Sequence, residues 1–156
     1  MRTLMFVILS AFKRKLAQGL ALLILVMPMP LAVADPPLQM TAGGLQFRQL
    51  VEGEGEPVVL GQVAQIHLVM WVDDRGQKGT ELYNSRGDRE PVSFVVGTDM
   101  IMPALNEAVL GMKAGGRRLL LVPPAFAYGD KGLEGVIAPE TSVILLVDLI
   151  SVQPAP

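Results

Sequence analysis

The sequence predicts an α+β domain: an antiparallel half-barrel sheet of five to six strands curled around one short helix. Three observations predict it. Strand-length apolar segments recur from residue 45 to residue 152, with Gly, Pro and Asp turn signals between them. Only residues 103–111 combine helical spacing with helix start and stop signals. No segment long enough to make a second domain is left over. A helix and a sheet that cover each other on one face leave a concave pocket between them.

The first 34 residues differ from the rest. They carry Arg2, Lys13, Arg14 and Lys15, no acidic residue, and an apolar stretch from Leu16 to Ala34 interrupted only by Gln18, Gly19 and prolines. Ala32 and Ala34 stand directly before Asp35. A charged start, an apolar middle and an A-x-A exit predict a secretory signal peptide cut after Ala34, and hence export, most simply to a periplasm. The alternative is an uncleaved membrane anchor, for which the stretch is borderline in length and broken by Pro28 and Pro30. Residues 35–43 read as a short linker and 44–153 as the domain.

Without residues 1–34 the chain has nine Lys/Arg against fifteen Asp/Glu. An acidic domain with no basic stripe does not fit nucleic acid. There is no cysteine, so neither a disulfide nor a lipid-modified cysteine is available.

Leu45–Leu50 alternates apolar and polar and reads as the first strand. Glu52-Gly53-Glu54-Gly55-Glu56-Pro57 is a turn, since its glutamates repel phosphate. Val63–Val72 reads as a long strand ended by the turn Asp73-Asp74-Arg75-Gly76, and Val92–Val96 as another closed by Gly97. The helix follows, with Pro103 at its first position, Gly111 at its stop, and Leu105, Ala108, Val109 and Met112 on one face. Arg117–Val122 and Val143–Val152 complete the sheet. Between them, Val122-Pro123-Pro124-Ala125-Phe126-Ala127-Tyr128-Gly129 makes a rigid turn that holds Tyr128 at a loop edge.

Catalytic groups are scarce. His67 is the single histidine and sits mid-strand, where a structural hydrogen-bonded imidazole is the expected role. Metal centres and nucleophile–base triads lack their parts, and no cofactor is implied. Met100, Ile101 and Met102 read either as core or as flexible apolar lining. An enzyme built from these parts needs a reaction without a titrating group. Rotation about an X-Pro bond qualifies: its barrier of about 20 kcal/mol comes from amide resonance, which a dry apolar cleft with one hydrogen bond to a carbonyl lowers.

From about Gly44 to Val152 the chain resembles an FKBP-type peptidyl-prolyl isomerase domain. The marks are Ser85-Arg86, Pro91 with Phe94 and Gly97, Gly111-Met112-Lys113-Ala114-Gly115, Ala127-Tyr128-Gly129, Gly135-Val136-Ile137 and Val147-Asp148-Leu149. The resemblance implies the half-barrel fold and a pocket for proline-containing polypeptides, with weak binding of the family's macrolide ligands. It implies that Tyr128 contacts a bound carbonyl and that Ile101 and Met102 offer it a backbone N–H. Val92, Leu133 and Ile137 fall at pocket-rim and flap positions.

Leu105, Leu68, Leu82 and Leu145 stand where the family usually carries aromatics, and Tyr83 where it carries an acid. The short flap and the absence of a helical dimerisation segment imply a monomer. Two functions follow: an isomerase that assists the folding of exported proteins, or a non-catalytic binding module on the same fold.

Overall fold

The computed structural model describes residues 35–87 and 90–154. They belong to one unit, Asp35–Pro156. The export segment expected at residues 1–34 lies outside the described residues, among which no helix is long and apolar enough to cross a membrane.

Among the described residues, seven strands, one α-helix and one 3₁₀ turn follow each other. They are β1 (Leu38–Met40), β2 (Gln46–Val51), β3 (Val63–Asp74), β4 (Gln77–Asn84), β5 (Val92–Val95), α1 (Pro103–Val109), β6 (Arg117–Val122), the 3₁₀ turn (Pro124–Phe126) and β7 (Val143–Gln153). All strand pairings are antiparallel, in the order β1-β2-β6-β7-β3-β4, with β5 on the remaining part of β3. The sheet is open, and β3 and β7 form its spine.

Two strands were not legible in the sequence. Leu38–Met40, inside the stretch read as a linker, pairs with Gln46–Arg48. Gln77–Asn84 pairs with the far end of β3 across the Arg75-Gly76 turn. Its Gln77, Lys78 and Glu81 are exposed, so an edge strand lacks the apolar alternation that marks a buried one.

The inner face is one continuous apolar row. Phe47, Leu120, Leu145, Met70 and Tyr83 stand opposite one another across β2, β6, β7, β3 and β4. Ala104, Leu105, Ala108 and Val109 of the helix join the same core. Burial of each large apolar side chain contributes roughly 1.5–3 kcal/mol.

A helix of seven residues has no stability of its own, so packing and end contacts hold it. Pro103 opens it, and Arg118 closes it: one guanidinium nitrogen donates to the carbonyls of Ala108 at 2.9 Å and Leu110 at 3.0 Å. The same side chain donates to Gln49 Oε1 at 2.6 Å and lies 4.4 Å from the Phe47 ring centre. Burial pushes its pKa below the usual arginine value, but that value lies so high that the group remains a cation.

Ser85 and Asp148 tie the β4 end to the spine. The Ser85 hydroxyl accepts from the Leu68 N–H at 2.8 Å and lies 3.2 Å from His67 Nδ1, so the single histidine is hydrogen-bonded within the sheet, as its mid-strand place implied. Asp148, opposite His67 in β7, is held by both Arg86 and Arg117.

Candidate active site

Ten of the eleven site residues expected from the sequence lie in or against the one helix–sheet core. Leu68, Leu105, Ile137 and Leu145 are part of the buried core itself. Leu82, Tyr83, Val92, Ile101, Met102 and Tyr128 are partly buried and pack against it. Buried aliphatic carbon thus lies beside partly exposed side chains.

Leu82 and Tyr83 are sequence neighbours, yet both pack against the core. In a regular strand they would point to opposite faces. The register slips between Met70 and Trp71, so that Met70 faces Tyr83 while Trp71 faces Glu81, and Leu82 is the extra residue of a bulge. The bulge turns both side chains inward. No local sequence signal marks it.

Leu133 stands apart from the rest. It is 44% exposed and belongs to the flap, where it exchanges both backbone hydrogen bonds with Ile137 at 2.8 Å. Ile137 is buried, so this small bridge anchors the flap to the core through one residue and leaves Leu133 at the rim. Gly132 makes the flap possible. Its φ is +64°, and a Cβ there would meet the Ile137 carbonyl oxygen at 2.3 Å.

Tyr128 is set by the 3₁₀ turn before it. Ala127 and Gly129 both donate to the Pro124 carbonyl, at 2.9 and 2.8 Å, and the Tyr128 carbonyl accepts from Gly132 at 3.1 Å. The phenol is half-buried, and loss of water around it pushes its pKa above the ordinary tyrosine value. It is therefore a neutral hydrogen-bond donor throughout the physiological range. Phe126 and Ala127, read from the sequence as part of the turn but given no site role, also pack against the core.

Ile101 and Met102 lie on the connection from β5 into α1. Met102 is the residue before the first helical turn, and its carbonyl accepts from Leu105 at 2.9 Å. Among the described residues, neither the Ile101 nor the Met102 N–H donates to a protein acceptor. Two backbone donors and one phenol at the edge of an apolar floor can bind carbonyl oxygens on an otherwise apolar guest. Among the described residues no group of three metal-ligating side chains occurs, and no nucleophile–base pair stands in the cleft.

Residues 54–150 match the family FKBP-type peptidyl-prolyl cis-trans isomerase. The chain belongs to this family.

Among FKBP-type relatives, an FK506-binding protein of Neisseria meningitidis serogroup B is 34% identical over 110 residues, which cover 70% of this chain and 97% of the relative. An FK506-binding protein of Streptomyces anulatus is 35% identical, covering 69% and 86%. The crystal structure of FkpA from Escherichia coli superposes with a TM-score of 0.66 at 29% identity, covering 76% of this chain and about half (53%) of FkpA. AtFKBP13 superposes at 0.64 with 25% identity, covering 74% of this chain and 98% of that one. The antiparallel sheet on one short helix is thus the FKBP fold, and the chain is a peptidyl-prolyl isomerase by family.

Proposed function

We propose that the cleft between α1, β4 and the flap binds X-Pro segments and rotates their peptide bond. The proline ring lies on the aliphatic floor of Leu68, Leu105 and Leu145, walled by Leu82, Tyr83, Val92 and Ile137. The Ile101 or Met102 N–H and the Tyr128 hydroxyl bind substrate carbonyls. Leu133 guides the chain at the rim.

One observation carries this assignment. Two backbone N–H groups without a protein partner among the described residues belong to residues that border the same apolar core as a neutral phenol. Amide rotation passes through a twisted state with less charge separation than the planar amide. A dry cleft disfavours the charge-separated planar form, and fixed donors hold the flanking carbonyls as the bond turns. No proton is transferred.

The same reading places the protein outside the cytoplasm, in the periplasm, as a monomer that speeds slow X-Pro steps of exported chains. The composition of residues 1–34 supports the export that this reading needs. Macrolides of the FK506 class compete weakly for the pocket, because leucines provide no aromatic faces.

Cis–trans relaxation of short X-Pro peptides tests the assignment. Acceleration that is lost when Tyr128 and the Ile101–Met102 segment are altered supports it. Acceleration indifferent to both moves the site elsewhere. N-terminal sequencing of the protein recovered from a periplasmic fraction tests cleavage after Ala34.

A further inference from the structure

Asn106 sits in the middle of α1, where asparagine is a poor helix former. Its side chain turns back toward the preceding loop. Oδ1 accepts from the Gly97 N–H at 2.8 Å, and Nδ2 donates to the Thr98 carbonyl at 2.8 Å. One amide thus brackets two consecutive residues of the β5–α1 connection. Gly97 has φ +92°, a conformation that strains a residue with a side chain. The Thr98 hydroxyl fixes the start of the loop further, donating to the Val95 carbonyl at 2.9 Å. At the other end the Leu105 N–H holds the Met102 carbonyl at 2.9 Å. Between these anchors stand Asp99, Met100, Ile101 and Met102, and Met100 is 92% exposed.

From this geometry we infer that Asn106 is a positioning residue for the isomerase: it locks the Gly97–Thr98 end of the loop so that the Ile101 and Met102 N–H groups are set before substrate arrives. The inference rests on the assignment of those two groups as carbonyl donors. Asparagine suits the task because its short amide offers a donor and an acceptor on one rigid plane. A loop held at both ends loses little further freedom on binding, and this lowers the entropic cost of capture. Without the bracket that ordering falls on the substrate, so KM rises while the rotation step itself changes little.

The test uses the full chain and an X-Pro peptide, with amide shifts and amide exchange read residue by residue. In the wild type, peptide titration is expected to move the Ile101 and Met102 amides. Asn106→Ala is expected to raise KM roughly tenfold with kcat within about twofold, and to speed exchange at residues 98–102 but not in β3 or β7. Asn106→Asp keeps the acceptor for Gly97, loses the donor to Thr98, and is expected to fall between the two. A wild-type KM and unchanged loop exchange in Asn106→Ala overturn the role of Asn106 alone. So does a kcat that falls with the folded fraction at constant KM, which marks a merely structural residue. Peptide that binds the wild type without moving the Ile101 or Met102 amides overturns the underlying site assignment, and the inference with it.

Discussion

The Ser85 hydroxyl accepts a hydrogen bond from the Leu68 backbone N–H at 2.8 Å, inside a site where Ser85 has no exposed surface. This bond joins the end of β4, which carries Leu82 and Tyr83, to β3, which carries Leu68 of the core. A second bond, from the Ser85 N–H to the Leu68 carbonyl at 2.9 Å, runs beside it. One buried serine therefore ties the end of β4 to Leu68 of β3 through two hydrogen bonds.

Ser85→Ala leaves the Leu68 N–H buried without a partner. The expected loss of stability is about 1–3 kcal/mol, from desolvation of an unpaired amide more than from the bond itself. Denaturant unfolding measures it. A change below about 0.5 kcal/mol would show that the strand relaxes to another acceptor.

Tyr128→Phe removes the phenol oxygen and keeps the ring against the core. The midpoint of thermal unfolding is expected to stay within a few degrees, while isomerase kcat/KM falls about two- to tenfold, the range of one neutral hydrogen bond. Unchanged turnover in the folded variant removes Tyr128 from the mechanism.

The pH dependence follows from the same residue. Burial raises the Tyr128 pKa above the unfolded value near 10. Between the two values the unfolded chain has released its proton and the folded chain has kept it, so the unfolded state binds fewer protons and stability falls as pH rises. The contribution is fully present below pH of about 10 and is lost as pH climbs through the folded value. Activity is expected to be flat across neutral pH, since the donor stays protonated there. A Tyr128-dependent titration of kcat/KM near pH 7 would contradict the neutral-phenol role.

Leu105 and Leu133 differ in burial, and the two substitutions are expected to differ accordingly. Leu105 is 3% exposed, and Leu105→Ala is expected to cost about 2–5 kcal/mol by opening a cavity in the core. Leu133 is largely exposed, so Leu133→Ala is expected to change stability by less than about 0.5 kcal/mol and to act on KM only. Paired unfolding and kinetic measurements distinguish them. Equal stability losses would mean that the flap packs more deeply than its exposure indicates.

The sequence by itself determined the class of the fold, the position of α1, the long strands, and a set of aliphatic residues that pack in or against one core. These follow from local periodicity and from Pro and Gly punctuation, which act over a few residues. Leu105, Ala108, Val109 and Met112 were legible as a buried stripe, and all four are buried. The tertiary structure decided what depends on distant partners. Edge strands β1 and β4 exist because β2 and β3 offer them hydrogen bonds, and their own residues are too polar or too few to announce a strand. The bulge that turns both Leu82 and Tyr83 inward is a property of register, which alternation within one strand cannot reveal. Asn106 and Arg118 look like ordinary polar residues along the chain. Only the packing of helix on sheet brings one to the Gly97–Thr98 loop and the other to the helix end, because hydrogen-bond partners are set by proximity in space.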